Sequence, residues 1–402
     1  MQNKKIKVKM LVSIILVVIL IVLIILLFIV MKEEKNKFTI TNEENKKESL
    51  NIPDGFYYVG GTINTGVIIS DNEEDYNKGQ DYNTSISLKG NQYVWIPVDN
   101  PIAQSTDELN NMVKNKKYPI ALKDGENYKG ILYNLTLNSK DEPFSIYTGE
   151  EENKSDEDNC NREPAVLTIK TYGDSDELIE NSTGSLYQDS FNKMVKSVIK
   201  NKGFYVSRYE IGNLHGDKFV SKALQNDISN LSWIDGYKGI KNMYNSDLVS
   251  SEMIWGCQWD AIMTWLYSKD EVKNSYFTEN TNEVCNHTGS ILSTASNDKY
   301  SQKNIFDLIG NVAEFTQEAE YSSIRIARGG SFDYESEINT NNMLIREEYG
   351  IMYHYSNIGF RSILIFWFFI NTLCWYEFQF KYDSWKNLVH LLYFINYDFQ
   401  IL

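Results

Sequence analysis

The sequence is poor in the residues that most often carry chemistry in proteins. Its 402 residues include four cysteines and four histidines. Cys160, Cys257, Cys285 and Cys374 are widely spaced and form no Cys-x-x-Cys pair, which excludes a zinc ribbon and a thioredoxin-type redox motif. The chain also lacks a Gly-x-Ser-x-Gly motif, a P-loop and a His-Glu-x-x-His motif. The sequence therefore shows no apparatus of a common hydrolase, nucleotide-binding enzyme or metalloprotease.

An excess of positive charge is absent as well. Acidic residues number 54 against 39 basic ones, which gives a formal net charge of −15 and a pI near 4.9. Nucleic-acid binding depends on basic residues that release counterions from phosphates, so we predict no nucleic-acid partner. The acidity is compatible with an extracytoplasmic domain and with the binding of divalent cations.

One long apolar run is present near the N-terminus. Residues 10–31 read MLVSIILVVILIVLIILLFIVM and contain no charge, Gly or Pro. A helix of about 22 residues spans roughly 33 Å, enough to cross a hydrocarbon core of about 30 Å. A cleaved signal peptide would end in small residues, whereas this run leads from Phe28 directly into charged residues. We predict an uncleaved transmembrane helix over 10–31, which anchors the protein in the cell membrane.

The charges around this run predict its orientation. Four lysines lie within residues 1–9, whereas the three lysines that follow the run are accompanied by Glu33 and Glu34. Because basic residues accumulate on the cytoplasmic side, we predict a cytoplasmic segment 1–9 and a single pass through the membrane. The polar, charged residues 32–50 predict a solvated stalk. Residues 51–364 then form an extracytoplasmic domain.

The pattern of apolar residues within this domain indicates an α+β fold. Short β-rich runs begin at Gly55, Gly66 and Gln92, and 71–90 and 138–163 read as acidic loops. An apolar face at helical spacing predicts a helix over 189–201, and a second helix is expected over about 251–267. The run GFYVSRYE (203–210) predicts a strand directly after the first helix. Helices and strands do not alternate as in βαβ units, which favours α+β.

Four segments of the second half carry a family resemblance. They read GFYVSRYE (203–210), NIFDLIGNVAEFT (304–316), RIARGGSF (325–332) and NIGFR (357–361). In this order they resemble the formylglycine-generating enzyme, or sulfatase-modifying factor, family, and the resemblance covers about 203–364. The segment 255–261 stands where that family has a further helix, and only Trp259 and Ala261 match it. The resemblance implies a variant of the C-type lectin fold.

The resemblance also implies an oxidase whose two cysteines bind copper and the substrate thiol. The positions that match the two cysteines fall at about Tyr334 and Asn339 in this chain. Copper(I) needs soft thiolate ligands, and the phenol of tyrosine and the amide of asparagine cannot replace them. The related iron-dependent sulfoxide synthases use three histidines, whose spacing is not matched here by His215, His287, His354 and His390. We therefore predict no copper site, no catalytic residues and a non-catalytic member of the family. An oxidase with an altered site, using Cys257 or Cys285, is the alternative.

Several motif residues have a structural role in our interpretation. Gly310 and Asn311 are expected to adopt positive φ, and Gly329 and Gly330 to bend a strand. Arg361 is expected to hold a buried carboxylate, either Glu210 or Glu314. The resemblance implies calcium near the Gly-Asn-Val-x-Glu segment, which makes Asn311 and Glu314 candidate ligands. The competing interpretation is that Asn311 caps a turn and Glu314 pairs with arginine.

The segment between Ser331 and Gly359 is the candidate ligand-binding surface. It is rich in Tyr and Asn, which supply rigid contact area and adaptable hydrogen bonds. A cell-wall polymer, another glycan or a protein is the predicted ligand, and a purely structural envelope protein is the alternative. The candidate residues are Asp333, Tyr334, Asn339, Asn341, Asn342, Arg346, Tyr353 and Tyr355.

The C-terminal residues 365–402 differ from the rest in their aromatic content. Family domains end a few residues after Gly-Phe-Arg, whereas this chain continues with IFWFFINTLCWYEFQF and further aromatic residues. Three interpretations compete: a membrane-proximal element, an oligomerisation strand, and an extension from a shifted reading frame, which we favour. An exposed tail of this composition would promote aggregation.

Overall fold

The computed structural model describes most of the chain between residues 37 and 367. The described residues are 20, 23–24, 37–41, 47–135, 143–147, 162–164, 184–213, 218–267, 283–321, 324–333, 343 and 345–367. The chain divides into two compact units, one of Met1–Phe38 with Trp367–Leu402 and the other of Thr39–Phe366. All sites considered below lie in the second unit.

The strands follow the chain in this order: β1 (Lys37–Thr41), β2 (Lys47–Asn51), β3 (Tyr57–Gly60), β4 (Ile68–Ser70), β5 (Gln92–Pro97), β6 (Ile102–Ala103), β7 (Ala121–Asp124), β8 (Asn127–Gly130), β9 (Tyr133–Leu135), β10 (Phe144–Ile146), β11 (Gly203–Ser207), β12 (Gly212–Asn213), β13 (Phe219–Val220), β14 (Asn226–Asp227), β15 (Val249–Met253), β16 (Ser301–Gln302), β17 (Ile305–Phe306), β18 (Ala313–Tyr321), β19 (Ile324–Arg328), β20 (Glu347–Gly350), β21 (Ile358–Phe360) and β22 (Ser362–Phe366). The α-helices are α1 (Tyr82–Ser85), α2 (Thr106–Lys114), α3 (Gly184–Asn201), α4 (Trp233–Lys241) and α5 (Gly256–Tyr267). Two short 3₁₀ helices cover Glu73–Asp75 and Asp298–Tyr300.

Two sheets organise the second unit. The larger one has six strands in the order β15-β22-β11-β5-β4-β3, and the other has four in the order β20-β19-β18-β21. The first five residues of the GFYVSRYE run form β11, in which all five are buried, and they pair antiparallel with β5 and β22. In the four-stranded sheet, β18 pairs antiparallel with β19 and parallel with β21. The remaining strands form small two- and three-stranded sheets, as an α+β fold allows.

The structure confirms the predicted β-rich runs and the first predicted helix. Strands β3, β4 and β5 lie within the runs that begin at Gly55, Gly66 and Gln92. Helix α3 ends at Asn201 as predicted, but it begins at Gly184. The second predicted helix is wrong at its start, because Val249–Met253 pair with β22 as strand β15 and α5 begins only at Gly256. Strand pairing prevails there over an apolar spacing that also fits a helix.

Both ends of the predicted domain show additional structure. Strand β1 and all but the last residue of β2 lie within the expected stalk, and Leu50 is buried. Strand β22 continues past residue 364 to Phe366, which is fully buried and pairs with Val249. The predicted membrane helix 10–31 lies outside the described residues, apart from Leu20, Leu23 and Ile24. Among the helices of the described residues, none combines the length and apolar character that a membrane crossing requires.

Candidate functional site

A short turn rich in aromatic residues lies between β20 and β21. We call residues 351–355 the aromatic turn. Tyr353 is 68% exposed and Met352 is 48% exposed, which makes them two of the most exposed large apolar side chains among the described residues. Large apolar side chains held together at a surface are typical of an interaction site.

The aromatic turn rests on an aromatic base. Tyr355 packs edge-on against Tyr349 of β20, with ring centroids 4.7 Å apart, and against Phe315 of β18 at 6.2 Å. The Phe315 ring is fully buried and stacks on Phe360 at 5.9 Å. The Tyr355 hydroxyl accepts a hydrogen bond from the Gly350 N–H at 3.1 Å. Such ring pairs stabilise a fixed arrangement, so the base holds the turn rigid.

The ring of Tyr353 lies directly over the backbone of Gly350. A Cβ atom at residue 350 would come within 2.5 Å of Cδ2 of Tyr353, which shows how closely the ring approaches. The Tyr353 N–H donates to the Gly350 carbonyl at 3.3 Å. One edge of the ring therefore lies against the last residue of β20, while most of its surface faces solvent.

A second set of contacts joins the aromatic turn to the start of α4. The Asn230 N–H donates to the Tyr355 carbonyl at 2.8 Å, and Nδ1 of His354 lies 3.1 Å from the Asn230 carbonyl. That carbonyl can only accept, so Nδ1 carries a proton, and Nε2 lies 4.0 Å from the Asp235 carboxylate. The turn thus presents polar groups beside its exposed ring.

Asp333 stands at the end of the Arg-Gly-Gly-Ser segment. Its Oδ1 accepts a hydrogen bond from the Ser331 hydroxyl and a longer one, 3.5 Å, from Nδ2 of Asn357. Gly329 and Gly330, which were expected to bend a strand, both adopt positive φ, at 92° and 67°, and they follow directly after β19 ends at Arg328. Four further candidate residues, Tyr334, Asn339, Asn341 and Asn342, lie outside the described residues.

Arg346 does not face solvent with the other candidate residues. Its side chain is 9% exposed and belongs to a buried group of alternating charges, which we call the charge cluster. The cluster consists of Arg162, Asp260, Glu318, Glu320, Arg328 and Arg346.

Glu318 lies at the centre of the charge cluster. Its Oε1 accepts from Nε of Arg162 at 2.8 Å and from Nε of Arg346 at 3.2 Å, and Nη1 of Arg328 lies 3.7 Å from its Oε2. Asp260 of α5 accepts from Arg328 at 2.9 Å and from Arg346 at 2.7 Å. The Arg346 guanidinium also lies over the Tyr147 ring, 4.4 Å from its centroid. Shared carboxylates bind these arginines into one network.

The electrostatics of the charge cluster favour ionised groups. Burial alone would raise the pKa of Glu318, but Arg346, Arg162 and Arg328 outweigh it, and the pKa is lowered. Burial and then the Arg346 charge lower the pKa of Arg328 to about 10, which still leaves it charged at neutral pH. The cluster is therefore expected to act as a charged, stabilising element of the core.

The motif residues form a second, smaller buried network. Arg361 donates through Nε to Oε1 of Glu314 at 2.8 Å, and its other nitrogens donate to the carbonyls of Ser207, Phe306 and Asp307. Of the two carboxylates expected for Arg361, the structure selects Glu314. Burial, opposed by Arg361 and reinforced by the Asp307 charge, raises the pKa of Glu314 to about 7. Arg361 ties β11, β17 and β18 together.

Glu210 contacts the predicted turn instead. It accepts from Nδ2 of Asn311 at 2.6 Å and from the Val312 N–H at 3.1 Å. Gly310 and Asn311 adopt φ of 71° and 59°, as predicted. Oδ1 of Asn311 accepts from Asn286 and from the Leu292 N–H.

These contacts bear on the calcium prediction. The Asn311 oxygen already accepts two hydrogen bonds, and one oxygen of Glu314 is held by the Arg361 guanidinium. A dication beside that guanidinium would be repelled, so the described arrangement does not fit calcium. Calcium binding by Asn311 and Glu314 stays a prediction, and it would require these contacts to be replaced. Within the described residues, no group of three or more His, Cys, Asp or Glu side chains is arranged to hold a metal.

The described cysteines are buried and poorly suited to thiolate chemistry. Neither Cys257 nor Cys285 forms a disulfide. Burial, followed by the nearby Glu163 charge, raises the pKa of Cys257 well above its usual value, and burial raises that of Cys285 to about 12. Because the thiolate is the reactive form, both are expected to be inert at neutral pH.

The charge cluster was missed by the sequence analysis, although the sequence held a signal. Only six of the 39 basic residues are arginines, and four of them, Arg208, Arg325, Arg328 and Arg361, are almost fully buried. The other two, Arg162 and Arg346, have side chains that are 12% and 9% exposed. Arginine suits buried pairing better than lysine, because its planar fork binds carboxylates in a fixed geometry. In a lysine-rich chain, each arginine marks a buried polar site.

Comparison with known proteins gives structural likenesses only. No family model matches the chain, and no curated protein matches it. Among solved structures, it is similar to variable protein 1 of Treponema denticola, with 12% identity, TM-score 0.30 and coverage of 41% of this chain and 85% of that one. It is likewise similar to PvdO from Pseudomonas aeruginosa, with 12% identity, TM-score 0.27 and coverage of 41% and 81%, and to CarF, with 13%, 0.28, 41% and 87%. At TM-scores this low, the likenesses carry no conclusion about family or function.

Proposed function

We propose that this chain is a membrane-anchored, extracytoplasmic binding module of the sulfatase-modifying-factor fold, and that its ligand contacts the aromatic turn. The observation that carries the proposal is that Met352 and Tyr353 are both exposed in a turn whose Tyr355 packs on Tyr349 and on the buried Phe315. A rigid aromatic surface loses little conformational entropy when it binds, which is why tyrosine is favoured at recognition sites. Cell-wall glycans are the ligand class that we place first, and a surface protein is the alternative.

Two further observations support binding over catalysis. Both described thiols are buried with raised pKa, which disfavours the alternative of an oxidase that uses Cys257 or Cys285. The charge cluster and the Arg361 network consist of buried ion pairs between side chains of the fold itself, as expected for structural elements. The membrane anchor over 10–31 belongs to the same proposal and rests on the sequence.

The test uses the full chain in membrane vesicles and purified cell-wall glycan from the producing cells as the probe. The vesicles are expected to sediment with the glycan, and the double variant Met352→Ala/Tyr353→Ala is expected to lose this property. Tyr76→Ala is the matched control, because Tyr76 is 56% exposed and lies outside the aromatic turn. Binding that survives the double variant would refute the site, and binding only to a surface-protein fraction would replace the ligand class.

A further inference from the structure

A histidine and an aspartate face each other at the aromatic turn. Nε2 of His354, within the turn, lies 4.0 Å from Oδ2 of Asp235 in the first turn of α4. This distance is too long for a hydrogen bond, in which the two heavy atoms are about 2.7–3.2 Å apart. The two side chains are 54% and 50% exposed, so a ligand can reach both from solvent.

Contacts with residues 230–232 fix the positions of both groups. Nδ1 of His354 is held by the Asn230 carbonyl at 3.1 Å, and the Ser232 hydroxyl donates to Oδ2 of Asp235 at 2.6 Å. The same hydroxyl accepts a hydrogen bond from the Asp235 N–H at 3.1 Å, as the N-cap of α4. Groups that are fixed before binding lose less conformational entropy when a ligand arrives.

Both facing atoms are hydrogen-bond acceptors. Because Nδ1 of His354 donates its proton to the Asn230 carbonyl, Nε2 of the neutral imidazole presents a lone pair. Oδ2 of Asp235 accepts from Ser232 and has a second lone pair for another donor. A single ligand atom can bridge two acceptors only if it carries at least two hydrogens to donate. A hydroxyl group carries one such hydrogen, whereas a primary ammonium group carries three.

The charges around this pair favour a cationic ligand. Within the part of the chain that the structure describes, Asp235 makes no ion pair with a lysine or an arginine. Glu347 of β20 accepts from the Tyr349 hydroxyl at 2.9 Å, which places a second carboxylate beside the aromatic base. The formal net charge of −15 attracts cations and repels polyanions. The exposed ring of Tyr353, next to His354 in the chain, adds a surface to which ammonium groups are attracted.

We propose that His354 and Asp235 form a subsite for a primary ammonium group, which is carried by the cell-wall glycan that contacts the aromatic turn. The ammonium nitrogen donates one hydrogen bond to Nε2 of His354 and one to Oδ2 of Asp235, at about 2.9 Å each. This inference rests on the proposed function and adds the chemical group that the ligand carries. An amino sugar without its acetyl group and a diamino acid in a peptide attached to the glycan are two sources of such a group.

Acetylation of the glycan tests the subsite without any change to the protein. Purified cell-wall glycan is divided, and one portion is treated with acetic anhydride, which converts its primary amines into uncharged amides. Vesicles that carry the full chain are titrated with both portions. The untreated glycan is expected to bind about three- to fivefold more tightly, which is the effect of a partly exposed ion pair.

Two outcomes of this titration would overturn the subsite, and they differ in what they imply for the proposed function. Equal affinities for the two glycans, both reduced in Tyr353→Ala, would overturn the ammonium subsite and leave the proposed function in place. The absence of binding to either glycan would refute the proposed function and the subsite together.

Two variants assign the preference to the named groups. Asp235→Asn removes the charge while keeping the shape, and it is expected to bind both glycans alike. His354→Asn keeps a donor for the Asn230 carbonyl but removes the acceptor at Nε2, so it is expected to reduce the preference. Glu108→Gln is the matched control and is expected to keep the preference, because Glu108 is exposed and is the third residue of α2, as Asp235 is of α4. A full preference in a folded Asp235→Asn protein would overturn the subsite.

Two soluble competitors identify the source of the ammonium group. One is a de-N-acetylated chitooligosaccharide and the other is a short lysine-containing peptide, and each is compared with its acetylated form. Stronger competition by the free oligosaccharide would assign the group to an amino sugar, and stronger competition by the free peptide would assign it to a diamino acid. If acetylation changed neither competitor, the subsite would be overturned.

Discussion

The aromatic turn and the charge cluster lie at opposite ends of one short chain segment, 345–355, and they are built on opposite principles. At its start, Arg346 is enclosed by carboxylates, and its hydrogen-bonding groups are directed inward. At its end, Tyr353 has a buried base but a solvent-exposed face. Residues 345–355 are therefore bound to the core through Arg346 and are exposed to solvent at Tyr353. Substitutions at the first position are expected to change stability, and substitutions at the second to change binding.

The largest effect is expected from Glu318→Gln. The substitution leaves three buried arginines with one carboxylate fewer, and breaking a buried ion network in this way costs about 3–5 kcal/mol. The free energy of unfolding of the full chain, measured by denaturant titration, is the check. A loss below about 1 kcal/mol would show that the charge cluster is not a stabilising core element.

A smaller effect is expected from Gly256→Ala. The new Cβ would meet Glu318 and Glu163 at less than 3 Å, and neither carboxyl is free to move because both are held by hydrogen bonds. Overpacking of this kind costs about 1–3 kcal/mol. Thermal unfolding of the variant is the measurement. A gain in stability, as alanine in an ordinary helix position would give, would contradict the tight approach.

Glu314 provides the contrast to Glu318 on the same strand. Burial raises its pKa to about 7, against one arginine and with the Asp307 charge nearby, so its contribution to stability is complete below 4.5 and is lost as the pH rises through 7. Glu314→Gln is expected to reduce the pH slope of the unfolding free energy by up to about 1.4 kcal/mol per pH unit between pH 5 and 7. Glu318→Gln, whose acid is already ionised, is expected not to reduce it. Equal pH slopes of the unfolding free energy in Glu314→Gln and Glu318→Gln would contradict this difference between the two carboxyls.

The smallest effect on stability is expected at the aromatic turn itself. Tyr353→Ala removes a ring that is mostly exposed, so the unfolding free energy should change by no more than about 0.5 kcal/mol. Phe315→Ala, which empties the buried base below it, should cost about 3–5 kcal/mol. Denaturant titration of both variants compares the two losses in unfolding free energy. A large loss in Tyr353→Ala would make the turn part of the core.

The sequence predicted local features of this region better than its long-range contacts. The positive φ of Gly310 and Asn311 follows from residue type, and the structure has it. Arg361 was expected on one of two carboxylates, and only the packing of β18 on β21 selects Glu314.

Contacts between distant segments were out of reach of the sequence. The burial of Arg346 depends on Asp260, 86 residues away, and Glu163 lies in a stretch whose acidic composition predicts a solvated loop. Helix α5 was placed too early, because residues 251–253 fit helical spacing while their pairing with β22 is not visible in the local pattern. The composition of a segment predicts the average exposure of its residues. It does not predict that a single charged residue, such as Arg346 or Glu163, is buried.

Glycan binding by Tyr353→Ala, measured beside its stability, tests the account most directly. Vesicles that carry the full chain are titrated with purified cell-wall glycan, and Tyr76→Ala serves as the control. We expect Tyr353→Ala to bind the glycan at least about tenfold more weakly, as for the loss of a central aromatic contact, with the unfolding free energy and the binding of the control unchanged. Binding within about twofold of wild type in a stable Tyr353→Ala protein would contradict the assignment of the aromatic turn as the binding surface.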